Sequence, residues 1–182
     1  MDELIAILDA RGEFTGKTEM KSHAHRMGLF HATVHVWFYT KTGAVLIQQR
    51  GTHKDTYPLL WDVSVAGHIG AGEGIAISAL REIAEEIGLA IKKEQLYKIG
   101  VFKSIQNHSK DLIDCEFHHT FICKLPVPLK ELKKQEDEVA ALELISLDVF
   151  EKEVSKNKKP YKYVPHQLAY YQKVITCIKE QL

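Results

Sequence analysis

Three carboxylates, Glu82, Glu85 and Glu86, stand at i, i+3 and i+4 in the segment GHIGAGEGIAISALREIAEEIGL, residues 67–89. On a helix that spacing puts them within an arc of about 100°. Each like-charged pair costs on the order of 0.2–0.5 kcal/mol. The last two turns of a helix also disfavour negative charge, because the dipole is negative there. Arg81 is the only cation nearby, with no lysine in helical reach. A solvated amphipathic face would leave both penalties standing, whereas a bound divalent cation removes them. All-oxygen ligands of this kind suit Mg²⁺, with Mn²⁺ as an alternative.

These glutamates need a helix and a loop to hold them. The spacing predicts a helix over 75–87, with Ala76, Leu80, Ile83, Ala84 and Ile87 as its buried stripe and Gly88 as its stop. Ahead of it, Gly67, Gly70, Gly72 and Gly74 form a loop whose backbone can approach a ligand closely. HATVHVWFY, the turn-like Lys41-Thr42-Gly43 and AVLIQQ read as a hairpin. Trp61 to Ala66 reads as a third strand, and further strands are expected at 96–102, 111–124 and 142–146. A last helix is expected from Pro165 onward. LKELKKQEDEV reads as a solvated, charged stretch, and the first thirty residues show little periodicity. Strands interleaved with helices make the fold class α/β or α+β.

Gly67, Glu73 six positions on, and Arg81-Glu82-Ile83-Ala84-Glu85-Glu86-Ile87-Gly88-Leu89 match all of G-x5-E-x7-R-E-U-x-E-E-x-G-U. At average usage, seven fixed positions arise by chance in a chain this long less than roughly once in a million. On this motif the chain resembles the Nudix hydrolases, which cleave diphosphates with divalent cations. The resemblance implies an α/β/α sandwich with a mixed β-sheet between helices, spanning residues 1–182 as one domain, with 1–30 as an extension packed on it. It implies Glu85 and Glu86 as main metal ligands, and Glu82 as a further ligand or the group that deprotonates water. Arg81 would hold the glutamates, Gly67 would offer its carbonyl to the metal, and Glu73 would brace the loop. A further general base outside the motif would be Asp137, Glu138 or Glu116, with Glu116 also expected as a metal ligand.

A second, local resemblance lies in HATVHVWFYTKTGAVLIQQR and KDTYPLLWDVSVAGH, which look like the isopentenyl-diphosphate-isomerase branch of the same superfamily. The isomerase has a catalytic cysteine immediately before a Gly-His pair, and here that position is Ala66. Alanine can neither give nor take the proton of an allylic shift, so hydrolysis is expected over isomerisation. His31, His68, Asp114 and Glu116 fall where that branch has its metal-site histidines and acids. A non-catalytic nucleotide sensor is the other alternative, disfavoured by the intact glutamates.

For the substrate, Arg50 and Lys54 could meet phosphates, and Trp37, Tyr57, Trp61 or Phe102 could stack on a base; His68 is a further contact. Ile105 stands where some ADP-ribose-cleaving relatives of this kind carry proline. Thr15-Gly16-Lys17-Thr18 resembles the end of a phosphate-binding loop, but Gly12 lies one residue too close and no strand precedes it.

The whole chain fits these readings. Its 182 residues carry 24 basic and 24 acidic side chains, so no global field draws it to nucleic acid or to an acidic membrane. Lys152, Lys156, Lys158, Lys159 and Lys162, with Tyr161 and Tyr163, therefore read as a solvated loop rather than a nucleic-acid patch. No apolar run is long enough to span a bilayer. Cys115, Cys123 and Cys177 form no CxxC pair, which suits a reduced, cytoplasmic protein. The expected partner is a small diphosphate, and the protein is expected as monomer or homodimer. Ten histidines are many for this length.

Overall fold

The structure is a computed structural model that describes residues 2–182. The hairpin β3 (His31–Tyr39) and β4 (Ala44–Arg50) is the centre of the molecule. It follows β1 (Leu4–Leu8), β2 (Phe14–Met20) and helix α1 (Lys21–Met27). After it come β5 (Trp61–Asp62), β6 (Val65–His68), α2 (Ile75–Ile87), β7 (Tyr97–Ser109), β8 (Leu112–Lys124), β9 (Val139–Ser146), α3 (Leu147–Ser155) and α4 (Leu168–Lys179). Seven strands make one mixed sheet in the order β5-β4-β3-β8-β7, with β6 beside β3 and β9 beside β4. The β3–β8 pair is parallel and the others are antiparallel.

Alternation along β3 divides the core. Trp37 and Tyr39 face α3 and α4, where they meet Phe150, Tyr171, Val174 and Ile178. Val34, Val36 and Phe38 face α2, where they meet Ala79, Ile83 and Ile87. Burying each of those isoleucines stabilises the fold by about 1.5–3 kcal/mol. The result is the expected α/β/α sandwich.

The expected third strand is in fact two. The buried Ser64 hydroxyl bonds the Leu46 carbonyl and accepts from the Phe38 N–H (2.9 Å), so it sits where β3 and β4 diverge. β5 therefore pairs with β4, and β6 with β3. The last helix starts later than Pro165. Trp61 donates to the Lys162 carbonyl and Val164 donates to the Trp61 carbonyl, holding that stretch extended up to the helix. LKELKKQEDEV is also more than a wet face. The N–H groups of Lys133 and Gln135 reach the Ile87 and Glu86 carbonyls at 2.9 Å each, satisfying orphan acceptors at the end of α2.

The stretch before residue 30 carries more structure than its sequence pattern suggested. β1 and β2 pair, and the Thr15-Gly16-Lys17-Thr18 segment is part of that hairpin. Ala71 donates to the Leu4 carbonyl (2.9 Å) and Leu8 to the Phe30 carbonyl (2.7 Å), fastening the hairpin to the glycine loop and to the entry of β3.

Candidate functional site

α2 turns Glu82 and Glu86 inward and leaves Glu85 exposed to water. The buried positions are Ser78, Ala79, Ile83, Glu86 and Ile87, while Ala84 is exposed. The apolar stripe is thus rotated from the expected one, and Glu82 and Glu86 lie at its margin against β6. Gly67 makes this approach possible. A Cβ there would stand 1.9 Å from the Glu82 carboxyl carbon, so only glycine fits. Ala66 donates its N–H to Glu86 Oε2 at 3.2 Å.

Arg81 ties the glutamates together. It donates to both oxygens of Glu73 (3.0 and 3.1 Å), to Glu82 Oε1 (2.7 Å), to Glu85 Oε2 (3.1 Å) and to the His68 carbonyl (3.0 Å). Glu73 also accepts from the Gly70 N–H at 3.2 Å, so the glycine loop and helix form one unit. Burial raises Glu82 to about 7, against the pull of Arg81. Burial likewise raises Glu86 to about 8, against the pull of Lys54. Two carboxyls held above their usual range beside each other are poised to release protons to a cation.

Lys54 pairs with Glu138. Burial alone would raise Glu138, but this pairing outweighs it and holds the carboxyl below its usual range. The Gly51 N–H donates to the Glu138 carbonyl (2.8 Å), joining the loop after β4 to the turn before β9. Arg50 donates to Asp62 Oδ2 (3.1 Å), to the Thr56 carbonyl (3.0 Å) and to the Thr56 hydroxyl (3.1 Å). Trp61 packs on the core edge and Trp37 lies within it. Tyr57 meets His108 edge-on, and Phe102 meets Tyr170 edge-on. Ile105 is exposed on β7.

A second constellation starts at the next residue. His68 follows Gly67, and alternation along β6 turns its ring to the other sheet face. There His25, His31, His68 and Glu116 each offer one ligand atom, all within 4.8 Å of one another. His25 Nε2 lies 3.2 Å from both His31 Nε2 and His68 Nε2. Glu116 Oε1 lies 3.4 Å from His31 Nε2 and 3.6 Å from His68 Nε2. His31 Nδ1 donates to the Leu29 carbonyl at 2.9 Å, which fixes the ring with Nε2 toward the group.

Asp114 stands behind His25 at 3.6 Å and bonds His108 Nε2 at 2.8 Å, so it supports the group from its periphery. Burial would raise Glu116, but the hydrogen bond from His31 and the neighbouring imidazoles hold it well below its usual range. Burial holds His68 well below its ordinary value, hence neutral. Converging imidazole nitrogens and an ionised carboxylate fit a divalent cation, and nitrogen ligands favour a borderline transition ion over Mg²⁺.

Glu116 thus belongs with the histidines and apart from the glutamates of α2, while Glu138 joins Glu86 through Lys54. His25 was not anticipated. It lies on a seven-residue helix without an apolar stripe, and the excess of histidine was its only signal.

This fold and the glutamate motif on α2 are those of the Nudix family. The NUDIX domain family model matches residues 29–167, and the chain belongs to that family. Nudix hydrolase 3 of Arabidopsis thaliana is 33% identical over 99% of the chain, which spans 24% of that longer protein. An uncharacterized Nudix hydrolase of Clostridium acetobutylicum is 30% identical over 98% of both chains. An isopentenyl-diphosphate Delta-isomerase of Serratia proteamaculans is 30% identical over 67% of this chain and 66% of its own. Among solved structures, DR0079 of Deinococcus radiodurans superposes with a TM-score of 0.68 at 18% identity, covering 86% of this chain and 91% of its own, a likeness of fold.

Proposed function

We propose that this protein hydrolyses a small diphosphate, a nucleoside diphosphate derivative or a compound like it, with Mg²⁺ or Mn²⁺. The observation that carries this reading is Glu82 against Gly67 and the buried Glu86 beside it, with Arg81 holding Glu82 and the exposed Glu85 together. A bound divalent cation supplies charge neutralisation for the diphosphate and acidifies water.

Glu85, Glu86 and the Gly67 carbonyl hold that cation, with Glu82 completing the set or accepting the proton of the attacking water. Arg81 and Glu73 position these groups without touching substrate. Lys54 meets a phosphate, and its departure from Glu138 on binding frees that carboxylate to act as a further base. Arg50 braces the loop 51–60 through Thr56 and Asp62, so its contribution to phosphate binding is indirect. Trp61 borders the same region, and His68 serves in the second group with His25, His31 and Glu116, which takes Mn²⁺ or a similar ion. We further propose a cytoplasmic protein, monomeric or homodimeric. No helix is long and apolar enough to cross a membrane, among the described residues.

Phosphorus NMR with a panel of nucleoside diphosphates, nucleotide sugars, ADP-ribose and isopentenyl diphosphate tests this directly. One diphosphate signal pair should collapse to monophosphates, and Glu85→Gln should abolish the change. An unchanged panel with intact binding would leave a non-catalytic sensor.

The histidine group favours a second reading, an enzyme related to the isomerases that rearranges an allylic diphosphate. Ala66 stands against it, since its methyl carries no proton that could be transferred. A shifted double bond without phosphate release in the same panel would establish it.

A further inference from the structure

β2 is a seven-residue strand that buries none of its side chains. Its partner β1 turns Ile5 and Ile7 into a small core with Ala24, and β2 joins the fold through its pairing with β1. A two-stranded hairpin is marginal by itself, and an unpaired edge is a template for another strand.

The two edges of this hairpin differ. Beyond β1 the edge is closed, because Ala71 donates to the Leu4 carbonyl (2.9 Å) and Leu8 donates to the Phe30 carbonyl (2.7 Å). Beyond β2 it is open. Lys21 donates to the Glu3 carbonyl at 2.8 Å, which directs its backbone, and by alternation that of Glu19 and Lys17, toward β1. The N–H and C=O groups of Thr18 and Met20 therefore point outward, where no backbone group elsewhere among the described residues bonds them.

The side chains along that edge carry opposite charges and uncovered apolar surface. Lys17 and Glu19 flank Thr18 and form no ion pair among the described residues, whereas the neighbouring Lys21 and Glu3 pair with each other at 3.2 Å. On the opposite face of the strand, Phe14 is 59% and Met20 41% exposed. Gly16 lies between them at a φ of +80°, where the register shifts, and nothing stands within 4 Å of the place a Cβ would take.

We propose that the open edge of β2 is the interface of a homodimer, in which two copies pair β2 with β2 antiparallel about a two-fold axis at Thr18 and form one four-stranded sheet. Of the two oligomeric states given above this selects the dimer, and it stands independently of the hydrolase reading. That axis sets Lys17 opposite the partner's Glu19, and Glu19 opposite the partner's Lys17, at the non-hydrogen-bonded positions where side chains come closest. Thr18 exchanges N–H···O=C bonds with the partner's Thr18. Met20 lies opposite the partner's Gly16, over its open space, and diagonal to the partner's Phe14, so the two exposed apolar side chains of the strand cover each other. Neighbouring axes fail on charge. An axis at Lys17 opposes lysine to lysine, and one at Glu19 opposes glutamate to glutamate and Lys17 to Lys21. A two-fold contact has to be self-complementary, and the Thr18 axis makes it so.

A contact of this size is weak, so sedimentation velocity is followed from roughly 10 to 500 µM. The parent should move from monomer toward dimer across that range. Lys17→Glu alone and Glu19→Lys alone each oppose like charges, and each should stay monomeric with unchanged far-ultraviolet circular dichroism. Mixed one to one, these two monomeric variants should form a heterodimer, because each supplies the charge that the other lacks. The double variant Lys17→Glu/Glu19→Lys should dimerise as the parent does. Should a single variant fail to fold, the Thr18 amide of the parent decides. Its hydrogen exchange should slow as concentration rises, and a rate independent of concentration would overturn the inference. A parent that remains monomeric throughout would also overturn it, leaving the edge to solvent or to a strand of another protein. Dimers that survive both single substitutions would do the same by placing the contact elsewhere. Diphosphate cleavage is scored separately, so the two readings fail independently.

Discussion

Glu86 links burial to chemistry at a single side chain. Its folded value of about 8 lies well above that of an unfolded carboxyl, so the native state holds a proton that the unfolded chain has lost. The resulting stability is present below the unfolded value and is lost as pH rises from about 4.5 to about 8; Glu82 adds to the same window. Glu86→Gln removes the penalty. In EDTA at pH 8.5 it should raise the melting temperature by the equivalent of a few kcal/mol, since each tenfold change in proton affinity is about 1.4 kcal/mol. The same variant should lose the rise in melting temperature that added Mn²⁺ gives the parent. Differential scanning fluorimetry reads both, and a destabilised Glu86→Gln in EDTA would contradict the burial argument.

Arg81 makes the complementary case. Lysine keeps the charge but cannot grip Glu73, Glu82, Glu85 and the His68 carbonyl together. Arg81→Lys should therefore lower kcat by roughly 10–100-fold with a smaller change in KM, the pattern of disturbed positioning.

Between elements, the critical contact is β6 against α2. Gly67 has no positive φ to explain it, and its requirement is the closeness of Glu82. The Glu82 carboxyl cannot swing aside freely, because Arg81 holds it at 2.7 Å. Gly67→Ala should thus cost about 1–3 kcal/mol in stability, as overpacking does. Urea denaturation measures this, and a cost below about 0.5 kcal/mol would mean that the helix shifts without strain.

The motif on α2 was readable in sequence because its residues are contiguous and a helix repeats every 3.6 residues. Which way the helix faces was less so. Ala84 fits an apolar stripe by spacing, yet Glu86 takes a buried place because the Ala66 N–H is there to receive it, and Ser78 takes another with its hydroxyl returned to the Gly74 carbonyl. The split at Ser64 was equally hidden, since a serine within a strand-like run carries no sign that its hydroxyl bridges two diverging strands.

At the scale of the whole molecule, the histidines become intelligible. His25, His31 and His68 converge with Glu116, and His35, His118 and His166 gather around Tyr170. Their number was visible in the chain but their meeting was not, because these residues come from α1, β3, β6, β8 and the approach to α4. The amino-terminal segment is therefore expected to be part of the site through His25. Deleting residues 1–28 should abolish high-affinity binding of Mn²⁺ at the histidine group and lower the melting temperature. His25→Ala should reproduce the first effect with less of the second. Isothermal titration with Mn²⁺ distinguishes them, and an unchanged stoichiometry in His25→Ala would remove that residue from the group.

The central claim is that water attacks a diphosphate under the control of the α2 glutamates. The most direct measurement is the reaction of the preferred diphosphate in ¹⁸O-labelled water with Mg²⁺, followed by the isotope shift in phosphorus NMR. One product phosphate should carry a single ¹⁸O, and Glu86→Gln should slow its appearance by roughly 100-fold or more. Consumption of substrate with no label in either phosphate, or full labelling in the variant at the parent rate, would contradict the account.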